Sequence, residues 1–510
     1  MLLLKNGSVF DGSGAEPIRA DLLIDGNRIV RIGTANGTPA DCRTVDCSNL
    51  AVAPGFIDLH SHADLQVLQA ERTEKSHQGV TTEVVGNCGF SPFPQGGHAH
   101  ELCEFGGGIL GQRDHWGWAN ATEYLESAAK LGKNVRVAPL VGHGSLRVAV
   151  AGLDQRPLTS AEQERMEGLL ADSLDAGCVG FSTGLMYAPG SSAGKQELEP
   201  LCRIAAAKDK LYATHMRSYA HGLVDATREQ LDLARATGCR LQISHLQAAG
   251  RANWDLQRRA LDEIERARAE GIDVEFDIYP YQCGSTVLTQ WLPQTALDGG
   301  AEALMARLQD KSTRQKIADE TERSRAQEWS DLTISGVATS GNRPLIGKTI
   351  ADVAALRGCA GVDAMLDLLI EEHAEVNVIC FNQSEDNLRQ LLSHPLCSVI
   401  SDGFYVTGKP HPRLHGTFPE LLGRITRERR WLTLPVAVHK ITGKPAARLG
   451  FTDRGLLREG YIADVAVFDP ERVASPATYE SPELPPEGIA FILKNGEISW
   501  RDQLSGDRVS

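Results

Sequence analysis

No stretch of the 510 residues approaches the ~20 consecutive apolar residues that a membrane-crossing helix needs. The opening Met1-Leu2-Leu3-Leu4-Lys5-Asn6-Gly7 is too short an apolar run for a signal peptide. Positive charge is also scarce: 52 Lys and Arg stand against 66 Asp and Glu, a formal charge of −14. Nucleic-acid binding needs a basic face, so that class is set aside, and no membrane partner is expected. A small anionic ligand remains compatible, because a few local arginines override the global field. The eleven cysteines include no CxxC pair. Without an export signal they read as reduced thiols, and a cytoplasmic location is expected.

What is present is an ordinary globular composition, 42% hydrophobic. The length exceeds what one core usually fills, so a large catalytic domain and a smaller one are expected. Residues 1–52 read as short apolar strands broken by Asn6-Gly7 and Asp25-Gly26-Asn27, both hairpin signals. Residues 451–510 have the same texture, with Asn495-Gly496 as a further turn. The two ends are expected to complete one small, β-sandwich-like domain.

The middle, 53–450, alternates β-branched runs with helical stretches. The expected strands are Phe56–Leu59, Thr82–Gly86, Val135–Val141, Cys178–Ser182, Leu211–Thr214, Leu241–Ser244, Val274–Ile278 and Cys397–Ser401. Helices such as Ser160–Ala176 and Leu223–Thr237 lie between them, with Gly177 and Gly238 at their stops. Eight β-then-α units make the fold class α/β, a TIM-type (β/α)8 barrel. The rhythm fails at about 289–342, which reads as a helical insertion after strand seven, placed to act as a lid.

In such a barrel the chemistry sits at the C-terminal strand ends. There the sequence places His60 and His62 after strand one, Cys88 after strand two and His143 after strand three. His215 ends strand five, His245 strand six and Asp402 strand eight. On an extended segment His60 and His62 project to one side. Cys88, His215 and His245 form a Cys/His₂ set with a position left open, the ligand pattern of a catalytic zinc.

The order His-x-His, His, His, Asp on strands one, five, six and eight resembles the amidohydrolase superfamily. Gly-Asn-Cys-Gly at 86–89, Gly-His-Gly-Ser-Leu-Arg at 142–147, Phe-Ser-Thr-Gly-Leu at 181–185, Ser-His-Leu-Gln-Ala-Ala-Gly at 244–250, Asp-Ile-Tyr-Pro-Tyr at 277–281 and Ser-Asp-Gly at 401–403 are similar to the D-aminoacylase, or N-acyl-D-amino-acid deacylase, family. The resemblance runs along nearly the whole chain. It implies hydrolysis of N-acyl-D-amino acids to a carboxylate and a free D-amino acid, with a small N-acyl amino acid as the binding partner. It also implies one essential zinc on Cys88, His215 and His245, and a second, weaker metal site at His60 and His62. Many other amidohydrolases use a carboxylated Lys on strand four; Cys178–Thr183 contains none.

In the implied reaction zinc polarises the acyl oxygen and lowers the pKa of a bound water toward ~7. Asp402 moves a proton from water to the departing nitrogen. Arg413 matches the family's carboxylate-binding arginine, with Tyr279 and Ser285 as helpers. His143 reads either as a hydrogen-bonding partner of substrate or as a structural residue. Gln247 stands where many members carry Lys, which leaves side-chain preference open, with Arg217 as a candidate substitute cation. Two other readings compete: a cyclic-amide hydrolase of dihydroorotase or hydantoinase type, and an inert barrel scaffold. The missing strand-four Lys counts against the first and the intact ligand set against the second.

Overall fold

A computed structural model describes residues 1–34, 42–111 and 115–501. Eight parallel strands follow one another around a barrel: Phe56–Asp58, Val80–Val85, Arg136–Gly142, Gly180–Gly184, Leu211–His215, Arg240–Ile243, Val274–Ile278 and Cys397–Val399. Every neighbouring pair is parallel. The outer helices form where the periodicity places them. Ser160–Ala176 opens on a capping box in which Thr159 and Glu162 bond each other's backbone N–H. Leu223–Thr237 stops at Gly238, whose φ of +72° suits a residue without Cβ. Among the described residues no helix is long and apolar enough to cross a membrane.

The barrel closes between strands one and eight. A parallel bridge links Ser61 to Gly403; the Asp402 N–H donates to the His60 carbonyl at 2.8 Å and the His62 N–H to the Gly403 carbonyl at 3.0 Å. Beneath this seam lies a buried charged network. The Asp58 carboxylate accepts from the Ser401 N–H at 3.0 Å, from the Ser401 hydroxyl and from the Lys75 ammonium. Lys75 also pairs with Glu83 on strand two at 3.5 Å, and Ser61 donates to Glu83. Asp58, Glu83 and Lys75 are all buried. Burial alone would strip the proton from Lys75, but Asp58 and Glu83 raise its pKa above the ordinary value.

The chain ends share one mixed sheet. Ala51–Pro54 pairs antiparallel with Val465–Phe468, which continues through Ile489–Lys494 to Glu497–Arg501. Leu2–Val9 pairs in parallel with Arg43–Asp46 along its first half and with Ala51–Pro54 along its second. The sheet branches there and folds over a core that includes Leu4, Leu22, Val45 and Leu493. Gly26-Asn27 and Asn495-Gly496 are two-residue hairpin turns, as expected. Asn6-Gly7 is not. It forms a bulge inside Leu2–Val9, with Asn6 at φ +62°, because the strand continues and keeps its partner Ile18–Asp25.

The excursion after strand seven is larger than 289–342 and is not purely helical. It contains an antiparallel sheet of Cys283–Val287, Val376–Phe381 and Leu332–Val337, packed with helices Gly300–Gln309, Lys311–Ser324, Ile350–Arg357 and Gly361–Glu371. Leu308, Ile334, Leu366 and Val378 belong to its own hydrophobic core. Its outer strands reach Val376–Phe381 from residues separated in sequence by tens of positions, a pairing that leaves no local hairpin signal.

Replacing Lys75 with Met removes the cation and leaves two carboxylates in the seam. Stranding buried charges costs about 3–5 kcal/mol, so Lys75→Met should lower the denaturation midpoint strongly. A midpoint equal to wild type would show that the seam does not depend on Lys75.

Candidate metal centre

The side chains that the strand ends carry meet at one point. His60 and His62 leave strand one with ring centroids 5.3 Å apart. Cys88 follows strand two in Gly86-Asn87-Cys88-Gly89, where Asn87 ties the turn to the carbonyls of Val84 and Ser61. A Cβ on Gly86 would run into the Leu140 carbonyl, so the turn needs glycine there. The Cys88 sulfur lies 3.3 Å from His60 Nε2 and 3.4 Å from His245 Nε2. The His215 ring is 4.6 Å from that of His245. Three overlapping sets bring their donor atoms within 4.8 Å of one another: His60, His62 and Cys88; Cys88, His215 and His245; His60, His245 and Asp402. Cys88, His245 and Asp402 all have positive φ, at +53°, +35° and +49°. Left-handed backbone is costly for such residues and collects at functional sites.

Electrostatics separate the imidazoles. Burial pulls the pKa of His215 down to about 3 and that of His245 well below the ordinary range. Burial also lowers His62 against the pull of Asp402. These rings are neutral near pH 7, with a lone pair free to bind a cation. His60 is the exception: burial opposes its charge, but Cys88 and Asp402 raise its pKa. Burial pushes the Cys88 thiol up; a cation would reverse that shift by holding the thiolate.

The fit to a metal rests on unsatisfied atoms. Both ring nitrogens of His215 and the Nδ1 atoms of His60, His62 and His245 are buried with no hydrogen-bond partner. Such orphans cost about 1–3 kcal/mol each. Zinc–sulfur and zinc–nitrogen bonds of about 2.3 and 2.0 Å at a tetrahedral angle put S and N about 3.5 Å apart, close to the Cys88–His245 separation. A thiol with imidazoles is a donor set suited to such an ion.

Asp402 touches the same point. Its Oδ1 is 3.3 Å from His60 Nε2 and 3.2 Å from His62 Nε2, and its Oδ2 is 2.9 Å from Arg413 Nη1. Burial would raise its pKa, but Arg413 and His60 hold the carboxyl well below the usual range. Arg413 begins helix Arg413–Glu420, is 1% exposed, and stacks its guanidinium 4.6 Å from the Tyr279 ring. Its Nη2 donates to the Ser285 carbonyl at 3.3 Å. Nε and Nη1 make no hydrogen bond, since the Asp402 pairing is out of line for one. The Ser285 hydroxyl is used within the insertion's sheet, donating to the Val378 carbonyl at 3.1 Å. Gln247 accepts from the Tyr279 hydroxyl at 3.1 Å and from Asn382 at 3.3 Å. A cavity of about 500 Å³ opens over the site, lined by His62, Cys88, His215, His245, Gln247, Tyr279, Ser285 and Asp402.

Two residues go elsewhere. His143 is fully buried and is not among the residues lining that cavity. Its Nε2 pairs with Glu197 at 2.8 Å, and Glu197 also takes Arg147 at 2.5 Å. Arg217 lies at the cavity, but its guanidinium is taken up by Glu229 and the carbonyls of Ser191 and Ala193.

Sequence reasoning missed the supports. Asp277 on strand seven accepts from the His245 N–H and from Gln242, each at 2.7 Å, and lies 3.6 Å from His60 Nδ1. The Tyr219 hydroxyl bridges the Met216 N–H and the Ser244 carbonyl, with its ring against those of His215 and His245. The available signal was a carboxylate in a buried strand, as at Asp58, Glu83 and Asp277, which demands a partner.

Burial would raise the Glu197 pKa, yet His143 and Arg147 pull it down to about 2 from an ordinary 4.5. A depressed carboxylate stabilises fully above its unfolded pKa and loses that contribution as pH falls through the folded one. Glu197→Gln should therefore lower the thermal midpoint at pH 7, and the gap to wild type should close as pH falls from 4.5 toward 2. A gap that stays constant with pH would contradict the assignment.

The sequence pattern described as "Amidohydrolase family" matches residues 43–499. An N-acyl-D-glutamate deacylase of Alcaligenes xylosoxydans xylosoxydans is 38% identical, covering 97% of this chain and 92% of that protein. A D-aminoacylase of the same organism is 35% identical, covering 98% and 95%. The crystal structure of an N-acyl-D-glutamate deacylase from Bordetella bronchiseptica, complexed with zinc and a phosphonate mimic of the tetrahedral intermediate, superposes with a TM-score of 0.84 at 37% identity, covering 98% of this chain and 96% of that one. With the pattern and these relatives each spanning nearly the whole sequence, the chain belongs to the amidohydrolase family.

Proposed function

We propose that this protein hydrolyses the amide bond of N-acyl-D-amino acids, with zinc held by Cys88, His215 and His245 and a second, weaker cation position at His60 and His62. The observation that carries the reading is the buried Cys88 thiol gathered with donor nitrogens of His215 and His245, both ring nitrogens of His215 having no hydrogen-bond partner. Held by Cys88, His215 and His245, zinc would supply Lewis-acid polarisation of the acyl oxygen and a lowered water pKa. The D-configuration of the substrate rests on the named activities of the relatives.

Asp402 carries the proton. It is ionised, because Arg413 and His60 outweigh burial. As water attacks the carbonyl carbon, Asp402 accepts its proton; as the carbon–nitrogen bond breaks, the same proton goes to the leaving nitrogen. The products are a carboxylate and a free amine, and Asp402 returns to its starting state. Arg413 holds the substrate's α-carboxylate. Its Nε and Nη1 are buried and make no hydrogen bond, which leaves guanidinium donors for a carboxylate. The Tyr279 ring fixes the guanidinium plane, and Ser285 contributes its carbonyl. Gln247 positions the Tyr279 hydroxyl. His143 acts through the wall of strand three by its bond to Glu197, with no contact to the reacting groups.

Asp402→Asn should retain zinc, read by metal analysis, while turnover of N-acetyl-D-amino acids falls by about 10²–10⁴-fold. Near-native turnover would remove Asp402 from the proton path. Arg413→Ala should raise KM for acylated amino acids, and unchanged kinetics would contradict its role.

A further inference from the structure

The cavity wall bears on which side chain the substrate carries. An acidic side chain brings a second carboxylate, which needs a second cation beyond the one that holds the α-carboxylate. Apart from the ligand histidines and the exposed His221, two cationic side chains line the cavity, Arg217 and Arg325.

Neither guanidinium is available. Arg217 meets Glu229 through Nε at 3.2 Å and Nη2 at 3.0 Å, and gives its remaining bonds to the Ser191 and Ala193 carbonyls at 2.6 and 2.7 Å. Arg325 donates to Glu322 at 2.7 Å, to Glu328 at 3.0 Å and to the Gln327 carbonyl at 2.9 Å, with its plane over Trp329. The two guanidiniums are thus paired with three carboxylates, Glu229, Glu322 and Glu328, and Glu320 adds a fourth to the wall. Gln247, beside the centre, is neutral, and its carbonyl oxygen is committed to Tyr279 and Asn382. The rest of the wall mixes neutral polar side chains such as Gln290, Gln294 and Asn382 with Met186, Tyr187, Tyr219, Trp291 and Leu292.

From this arrangement we infer that the enzyme selects N-acyl-D-amino acids with neutral, apolar side chains and discriminates against acidic ones. The inference rests on the proposed deacylase reaction. A substrate carboxylate would enter a wall whose cations are already neutralised, losing hydration without gaining a free counter-charge. An apolar side chain would bury surface against Trp291 and Leu292.

The test compares N-acetyl-D-leucine and N-acetyl-D-methionine with N-acetyl-D-glutamate and N-acetyl-D-aspartate on the zinc-loaded wild-type protein, reading free amine. A preference in kcat/KM on the order of 100-fold for the neutral pair is expected. A preference below about ten-fold, one factor of ten being ~1.4 kcal/mol, or any preference for the acidic pair, overturns the inference while leaving the deacylase reading intact. No release of amine from any of the four overturns both. A variant isolates the cause. Glu229→Gln removes the carboxylate that neutralises Arg217, and should raise kcat/KM for N-acetyl-D-glutamate by at least about three-fold while N-acetyl-D-leucine stays within about two-fold. An unchanged ratio of the two substrates would overturn the account of Arg217.

Discussion

The Asp58–Lys75 pair at the barrel seam is the interaction on which the rest of the structure depends. A buried ion pair is a poor source of net stability, because desolvating two charges offsets most of their attraction. Its value lies in register. Asp58 sits two residues before His60 and accepts from both the backbone and the hydroxyl of Ser401, one residue before Asp402. That contact fixes the axial position of strand one against strand eight. The His60 carbonyl then meets the Asp402 N–H, and the His62 N–H meets the Gly403 carbonyl. A slip of one residue would turn His60 or Asp402 away from the centre.

The centre itself is a set of unfavourable features held in place by that frame. Cys88, His245 and Asp402 adopt left-handed backbone. Several imidazole nitrogens are removed from water without a protein partner. Each costs free energy. Asp277 and Tyr219 hold this geometry through backbone bonds around His245 and His215. Low pKa values at His215 and His245 follow from the same burial. One cause, exclusion of water at the rim, therefore gives both the neutral ligands and the need for a metal.

The insertion after strand seven contributes differently. It supplies Ser285, whose carbonyl orients Arg413, and Trp291 and Leu292 on the cavity wall. It also brings Arg325, already paired with acidic neighbours on its own segment. The thiol and imidazoles of the centre thus sit on the barrel, while part of the cavity wall comes from a unit with its own sheet and core.

Local pattern carried the barrel strands and the capped helix Ser160–Ala176, because each depends on residues near one another in the chain. Two-residue turns at Gly26-Asn27 and Asn495-Gly496 were legible for the same reason. Asn6-Gly7 shows the limit: the dipeptide permits a turn, and the partner strand decides that it is a bulge. The insertion's sheet escaped notice because its strands pair across long separations. His143 resembled a site residue until Glu197, 54 positions away, took its nitrogen. Sequence by itself determined which donors exist and which ends of which strands carry them. Only the tertiary structure decided which of them share a point in space, which charges are already spent, and which strained backbone the surroundings sustain, since those are properties of distant segments brought together out of water.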